Sequence, residues 1–103
     1  MTTIALQTTD QRQAMLFKAL GHPARLEILR LLAHRKTCVC GEVVRELPLA
    51  QFTVSQHLKV LKHAGLVVGN VEGSSVCYCL APGAVDLLRK ALQCLTADLV
   101  NAD

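Results

Sequence analysis

Residues 53–67 read TVSQHLKVLKHAGLV, and apolar residues recur in this stretch with the period of an α-helix. Val54, Leu58 and Leu61 fall on one stripe, which predicts that this side of the helix is buried in a core. The opposite side carries hydroxyl, amide, imidazole and ammonium groups, and Gly65 is placed to end the helix. Side chains of these kinds form hydrogen bonds with base edges and phosphates, so the helix is a candidate DNA-contacting element.

A shorter helix is predicted immediately before this one, over residues 42–47. Pro48 ends it, and only Leu49 and Ala50 separate the two helices, which is typical of a helix-turn-helix. Phe52 is equally consistent with contact to a thymine methyl group and with packing against the turn. The candidate DNA-binding residues are Gln51, Thr53, Ser55, Gln56, His57, Lys59 and Lys62.

The placement of charge agrees with contact to phosphates. The net charge is only +3, but no acidic residue lies between Glu46 and Glu72, and this segment holds Lys59 and Lys62. The segment can therefore approach phosphates without repulsion from acidic side chains. We expect the two lysines to bind phosphates while residues 55–57 contact base edges.

The flanking segments predict the rest of the fold. Apolar residues recur at helical spacing over residues 11–20, and a second helix is expected to begin at Pro23, because proline suits the first helical turn. Strand-like runs at residues 66–71 and 75–80 surround Glu-Gly-Ser at 72–74, which is a hairpin turn signal. This hairpin directly follows the candidate DNA-contacting helix, which predicts the wing of a winged helix.

Residues 83–100 form the last predicted helix, whose apolar residues step by three and four. This seam suits a dimerisation helix that packs on the first helix, and a chain of 103 residues gains stability from such extra burial. The sequence thus predicts one domain over residues 1–103, mainly α with a small β wing: a homodimeric winged helix-turn-helix with five helices plus a β-hairpin. The seam consists of Val85, Leu88, Leu92, Leu95 and Leu99.

Several function classes are disfavoured. The chain lacks a signal-peptide pattern and an apolar run of about 20 residues, so we expect a cytoplasmic protein without a membrane partner. No carboxylate pair is spaced for acid–base catalysis, and there is no nucleophile–base arrangement or Gly-rich phosphate loop, so we expect no enzyme. A thiol oxidoreductase is disfavoured because the C-x-x-C motif is missing.

The five cysteines suggest ligand chemistry. Four form two C-x-C pairs, Cys38/Cys40 and Cys77/Cys79, whereas Cys94 is expected to pack in the core or an interface. Without an export signal the thiols are expected to be mostly reduced rather than a disulfide framework. If the extended stub at 37–40 pairs with the second wing strand, three or four thiols could cluster. For Cys77 and Cys79, packing on the core is an equally favoured interpretation.

Three motifs together resemble the ArsR/SmtB family of arsenic- and metal-responsive repressors: LGHPARLEILRLL at 20–32, CVCGEV at 38–43, and the stretch at 53–67. The resemblance implies a helical dimer with wings that binds an operator near its own promoter and leaves it when an inducer binds. It implies DNA contacts by Thr53, Ser55, Gln56 and His57. The C-V-C motif matches the thiolate motif of the family's arsenite, cadmium and lead sensors.

The last helix lacks the histidine ligands of the family's zinc sensors, since it offers only Asp86, Asp98 and Cys94. A zinc site of that kind is therefore not expected. The leading prediction is a DNA-binding repressor that dissociates from double-stranded operator DNA when thiolates bind a soft metal(loid), As(III), Sb(III) or another soft ion, with no permanent cofactor. The candidate metal ligands are Cys38, Cys40, Cys77 and Cys79.

Two alternatives to this prediction remain open. The first is a repressor of the same fold that responds to thiol oxidation or persulfide, with neighbouring thiols becoming linked. The second is an interaction module with a permanent structural zinc, although structural zinc sites usually show C-x₂₋₄-C spacing.

Overall fold

A computed structural model describes residues 8–35, 38–39, 48–72 and 75–101. Their elements, in chain order, are α1 (Thr8–Leu20), α2 (Pro23–His34), α3 (Gln51–His63), β1 (Val67–Glu72), β2 (Ser75–Leu80) and α4 (Ala84–Asn101). The prediction of a mainly helical chain with a β-hairpin is confirmed. The described residues contain four helices rather than five, and the short helix predicted at 42–47 lies outside them.

The α1–α2 corner follows from local sequence. His22 has extended backbone angles, φ −146° and ψ 130°, and its Nδ1 accepts a hydrogen bond from the backbone N–H of Ala24 at 3.0 Å. This side chain therefore caps the start of α2. Pro23 occupies the first helical turn, where its missing N–H removes no helical hydrogen bond.

The wing is a two-stranded antiparallel sheet in which Gly69 of β1 lies opposite Tyr78 of β2. The other edge of β2 is also paired, because Val39 forms an antiparallel bridge with Tyr78. The Val39 N–H donates to the Tyr78 carbonyl at 2.9 Å, and the Tyr78 N–H donates to the Val39 carbonyl at 2.8 Å. This confirms the expected pairing between the stub and the second wing strand.

One core unites α1, α2, α3, the stub and the wing. The stripe predicted on α3 is buried, with Val54, Leu58 and Leu61 almost inaccessible to solvent. Ile28 of α2 and Val39 of the stub pack in the same cluster. Full burial of side chains of this size contributes about 1.5–3 kcal/mol each, so this contact holds α3 in place.

The last helix is largely exposed. Of its 18 residues, only Ala84 and Ala91 are buried, and Leu88 is half-buried. Leu92 is 54% exposed and Leu99 is 57% exposed, so much of the predicted seam faces solvent in one protomer. None of the described helices has the length and hydropathy needed to cross a membrane.

Candidate DNA-binding and thiol sites

The outer face of α3 presents three of the predicted DNA-binding side chains to solvent. Gln56, Lys59 and Lys62 are exposed, whereas Thr53 and Ser55 are half-buried. Gln51 and Phe52 begin α3, but their side chains lie outside what the structure describes. The structure therefore brings a glutamine and two lysines together on one accessible helix face.

Lys62 links this helix face to the wing. A Cβ atom added at Gly69 would lie 3.6 Å from Lys62 Nζ and 3.3 Å from Tyr78 Cε1. The absence of a side chain at Gly69 thus leaves room for the ammonium group over β1. The exposed face of α3 therefore carries positive charge at the point where it meets the wing.

A groove of about 420 Å³ separates α1 from α3. It is lined by two lysines, Lys18 of α1 and Lys59 of α3, together with Met15, Gln56, Val60 and His63. Sequence reasoning did not assign a role to Lys18, because its position beside α3 depends on packing between distant segments. Lys18 adds a third ammonium group next to the exposed face of α3.

His57 differs from the other predicted DNA-binding residues. Its side chain is only 9% exposed, and its ring centroid lies 4.4 Å from that of His22. Arg25 Nη1 lies 3.2 Å from His57 Nδ1. The imidazole therefore packs against α2 instead of facing solvent beside Gln56, a placement that differs from the base-reading role expected of it.

The contact with Arg25 favours the neutral form of His57. A guanidinium has only N–H donors, so His57 Nδ1 must be unprotonated to accept this hydrogen bond. Burial lowers the pKa of His57 below its ordinary value, and its electrostatic interactions with His22 and Arg25 lower it further. Both effects favour the neutral imidazole.

The stub and β2 bring two predicted sulfur ligands together. The Val39–Tyr78 bridge exchanges both of its backbone hydrogen bonds, so the neighbouring antiparallel pair, Cys38 opposite Cys79, is a close non-hydrogen-bonded pair. Their Cα atoms are 4.5 Å apart, and the two residues form a disulfide. The expectation of reduced thiols therefore does not describe this structure.

The remaining cysteines occupy different environments. Cys77 is 1% exposed and is also disulfide-bonded, and Cys40 lies outside the described residues. Cys94 is a free, exposed thiol on α4, so it does not pack in the core of the protomer. Across the part of the chain that the structure describes, no three potential metal-ligating side chains cluster.

Asn70 of β1 lies beside the Cys38–Cys79 pair. Its side-chain Nδ2 is 3.9 Å from Cys38 Sγ and 3.7 Å from Cys79 Sγ, so it donates weak hydrogen bonds to both sulfurs. Sequence reasoning missed Asn70, although its position in β1 follows from hairpin pairing, which places it opposite Cys77.

Comparison with known proteins agrees with this geometry. A family model described as a helix-turn-helix domain matches residues 20–70. The transcriptional regulator Rv0081 of Mycobacterium tuberculosis is 37% identical over 92 residues, covering 85% of this chain and 81% of the relative. The repressor SmtB of the same species is 46% identical over 66 residues, covering 64% of this chain and 48% of the relative. The chain belongs to the ArsR/SmtB family.

A solved relative extends the match to the whole fold of this ArsR/SmtB protein. The homodimeric winged helix-turn-helix DNA-binding domain of Mb0332 from Mycobacterium bovis has a TM-score of 0.68 and 25% sequence identity. The alignment covers 98% of this chain and 96% of that one. The chain is thus a winged helix-turn-helix transcriptional regulator, in agreement with the expectation of a non-enzyme.

The environment of His57 predicts that acid destabilises the fold. Well above about pH 6.5 both the folded and the unfolded state hold a neutral imidazole, so there His57 adds no pH dependence. As pH falls through about 6.5, His57 takes up a proton in the unfolded chain before it does so in the fold, so the free energy of unfolding decreases. His57→Gln should show a smaller loss between about pH 7.5 and about pH 5.5 in urea denaturation.

His34 provides a matched control, because it is an exposed histidine at the end of α2. His34→Gln should keep the acid sensitivity of the unmodified protein. An unchanged pH profile in His57→Gln would contradict the assignment of His57 as a buried neutral group.

Proposed function

We propose that this regulator is a homodimeric repressor that binds operator DNA through α3 and leaves it when cysteine thiolates bind a soft metal(loid) such as As(III) or Sb(III). The observation that carries the proposal is the meeting of Cys38 and Cys79 where the stub pairs with the wing. Two sulfurs from distant segments lie together next to the DNA-contacting unit. A ligand held there acts on both segments at once.

The DNA-contacting part of the proposal rests on the exposed face of α3. Gln56 has the donor and acceptor needed for a base edge, and Lys59 and Lys62 supply charge for phosphates. Lys18 extends this charge across the groove. Ser55 and Thr53, which are half-buried, remain proposed contacts, whereas the proposal leaves out His57 because its side chain packs inward.

In the reduced protein, Cys38 and Cys79 would supply two thiolates to the ion. Thiolates favour soft ions, and a three-coordinate site needs one more sulfur. Cys40 is the proposed third ligand on the basis of its sequence spacing, since residues i and i+2 of an extended segment share a face. Cys77 is buried and remains the alternative ligand. Asn70 lies within hydrogen-bond distance of two of these sulfurs and would donate to them in the bound site.

Release from DNA requires that the ion binds the DNA-free conformation more tightly. Coordination of one ion by three sulfurs would change the distance between the stub and β2 from that of a close strand pair. Val39 is the buried residue between Cys38 and Cys40, so a shift of the stub disturbs the core that holds α3. A coupling of about 3 kcal/mol would lower operator affinity roughly 150-fold.

The proposed dimer covers the exposed apolar face of α4. A groove of about 410 Å³ between α1 and α4 is lined by Met15, Leu87 and Cys94 among others. Leu92, Leu95 and Leu99 continue the apolar surface along α4. A surface of this extent favours association with a second copy, as in the homodimeric relative Mb0332.

A second candidate signal is thiol oxidation, which the Cys38–Cys79 disulfide specifically favours. Two thiols react with one low-molecular-weight disulfide to give the protein disulfide and two small thiols. Oxidation and ion binding use the same sulfurs, so the oxidised protein cannot offer Cys38 and Cys79 as thiolates. The two signals are therefore mutually exclusive at this site.

The dimer can be tested by charge substitution. Leu92→Glu/Leu95→Glu should yield monomers, because two carboxylates would be buried unpaired in the proposed interface. Sedimentation equilibrium at micromolar concentration measures the mass. Val76→Glu, at an exposed apolar residue of the wing, should remain dimeric. A monomeric unmodified protein would contradict the proposal.

Two substitutions separate base reading from phosphate binding. The operator duplex used is the sequence that the unmodified protein enriches from a random pool. Gln56→Ala should cost about 1–3 kcal/mol on this duplex and little on random DNA. Lys59→Ala should weaken binding to both duplexes. It should also lower, by about one, the slope of log affinity against log salt concentration, which is called the salt slope below. Equal losses for Gln56→Ala on both duplexes would contradict base reading.

The sulfur site is tested with the reduced protein bound to the operator duplex. Arsenite should release the unmodified protein and Cys94→Ser, because Cys94 lies on α4, where it lines the groove with α1. The variant Cys38→Ser/Cys79→Ser should bind DNA and remain bound, since two of the proposed ligands are absent. Fluorescence anisotropy of labelled duplex measures the release. Release of the double variant at the same arsenite concentration would place the sensing site elsewhere.

The same assay separates the two signals. Protein oxidised with glutathione disulfide is compared with reduced protein, both free of metal. An unchanged operator affinity on oxidation, together with release of the reduced form by arsenite, identifies the ion as the signal. A loss of operator affinity on oxidation that Cys38→Ser/Cys79→Ser abolishes identifies oxidation as the signal.

A further inference from the structure

Arg25 joins three helices through its guanidinium group. From its place in the first turn of α2, its Nε donates to the Ala19 carbonyl at 2.8 Å and its Nη2 donates to the Lys18 carbonyl at 3.1 Å. Its Nη1 donates to His57 Nδ1 at 3.2 Å. One planar, rigid group therefore connects the end of α1 to the middle of α3.

The contacts with α1 hold the guanidinium in a fixed position. Lys18 and Ala19 lie in the last turn of α1, where carbonyl groups lack helical partners and the helix dipole favours a cation. Nε and Nη2 lie in one plane and donate to these two carbonyls, which determines the direction in which Nη1 points. Arg25 thus presents a donor to α3 from a position that α1 sets.

His57 receives that donor in a similarly restricted position. Its ring is buried, and on another side it meets the ring of His22 at an interplanar angle of 51°. His22 is itself held by its cap hydrogen bond to Ala24. The imidazole is therefore located both by an aromatic neighbour and by a charge-assisted hydrogen bond.

The position of His57 along α3 gives this contact a consequence for recognition. Gln56 is the preceding residue, about 100° around the helix, and it is exposed. A rotation of α3 about its axis would displace the tip of Gln56 and break the hydrogen bond to Arg25 at the same time. Apolar contacts tolerate small rotations, whereas a directional hydrogen bond weakens steeply when its angle changes.

We propose that Arg25 is a positioning residue for DNA recognition, which sets the rotation of α3 through His57 and so directs Gln56 towards the base edges. The inference rests on the proposed role of α3 as the reading helix. Arg25 acts on sequence preference without contacting DNA. Its loss should therefore reduce the ratio of operator affinity to random-DNA affinity.

The test measures this ratio and the salt slope for Arg25→Gln, His57→Ala and the double variant. Arg25→Gln should lower the ratio about tenfold, with an unchanged salt slope on random DNA. The double variant should lose no more than the larger single loss, because both substitutions remove the same contact. Arg30→Gln is the matched control, since Arg30 is an exposed residue of α2 that pairs with Glu27, three residues before it in the same helix, at 2.8 Å. It should leave the ratio unchanged.

Arg25→Lys keeps the charge but lacks the planar fork, so it separates positioning from phosphate binding. A positioning role predicts a reduced ratio in this variant as well, and circular dichroism establishes that each variant is folded at the assay temperature. If Arg25→Gln does not fold, Arg25→Lys carries the comparison. Two results would overturn the inference: equal losses on both duplexes with a salt slope lower by about one, or additive losses in the double variant. Failure of Gln56→Ala to discriminate the duplexes would instead refute the proposed reading face.

Discussion

β2 forms hydrogen bonds along both edges, with β1 on one side and with Val39 on the other. This double pairing joins the stub to the wing and defines which residues lie opposite each other. It places Cys38 against Cys79, and it leaves Val39 pointing into the core while Cys38 is exposed. Chemistry at an accessible sulfur is thereby connected to a buried residue through a single peptide unit. The same core holds the apolar stripe of α3, so the sulfur site and the proposed reading helix share one packing unit.

Control of recognition in this arrangement has two parts with different physical origins. Apolar burial holds α3 against the core, and this contribution is strong but tolerates small movements of the helix. Its rotation is set by a directional contact, the Arg25–His57 hydrogen bond, on the side that faces α1 and α2. The proposed ion binding would act first on the apolar contacts, because Val39 of the stub packs in the core that holds α3.

Much of the fold was predictable because it depends on local periodicity. The buried stripe of α3, the hairpin and the apolar seam of α4 follow from spacing along one segment. The inward placement of His57 was not predicted although a signal existed: it lies three residues after Val54 and four before Leu61, on the same stripe. The roles of Lys18, Arg25 and Asn70 could not be predicted, because each depends on a contact between segments distant in sequence. The disulfide was not expected either. The alternation of side chains along a strand predicts which cysteines share a face, but it does not predict the register between the stub and β2.

We propose that sulfur chemistry at the junction of stub and wing is thermodynamically coupled to operator binding. Such coupling is reciprocal, so an ion that weakens DNA binding must itself bind more weakly to the DNA-bound protein by the same factor. Isothermal titration of the reduced protein with arsenite, in the absence and presence of saturating operator duplex, measures both affinities directly. We expect weaker arsenite binding in the presence of DNA, by the factor with which arsenite lowers operator affinity. Equal arsenite affinities in the two titrations would contradict it.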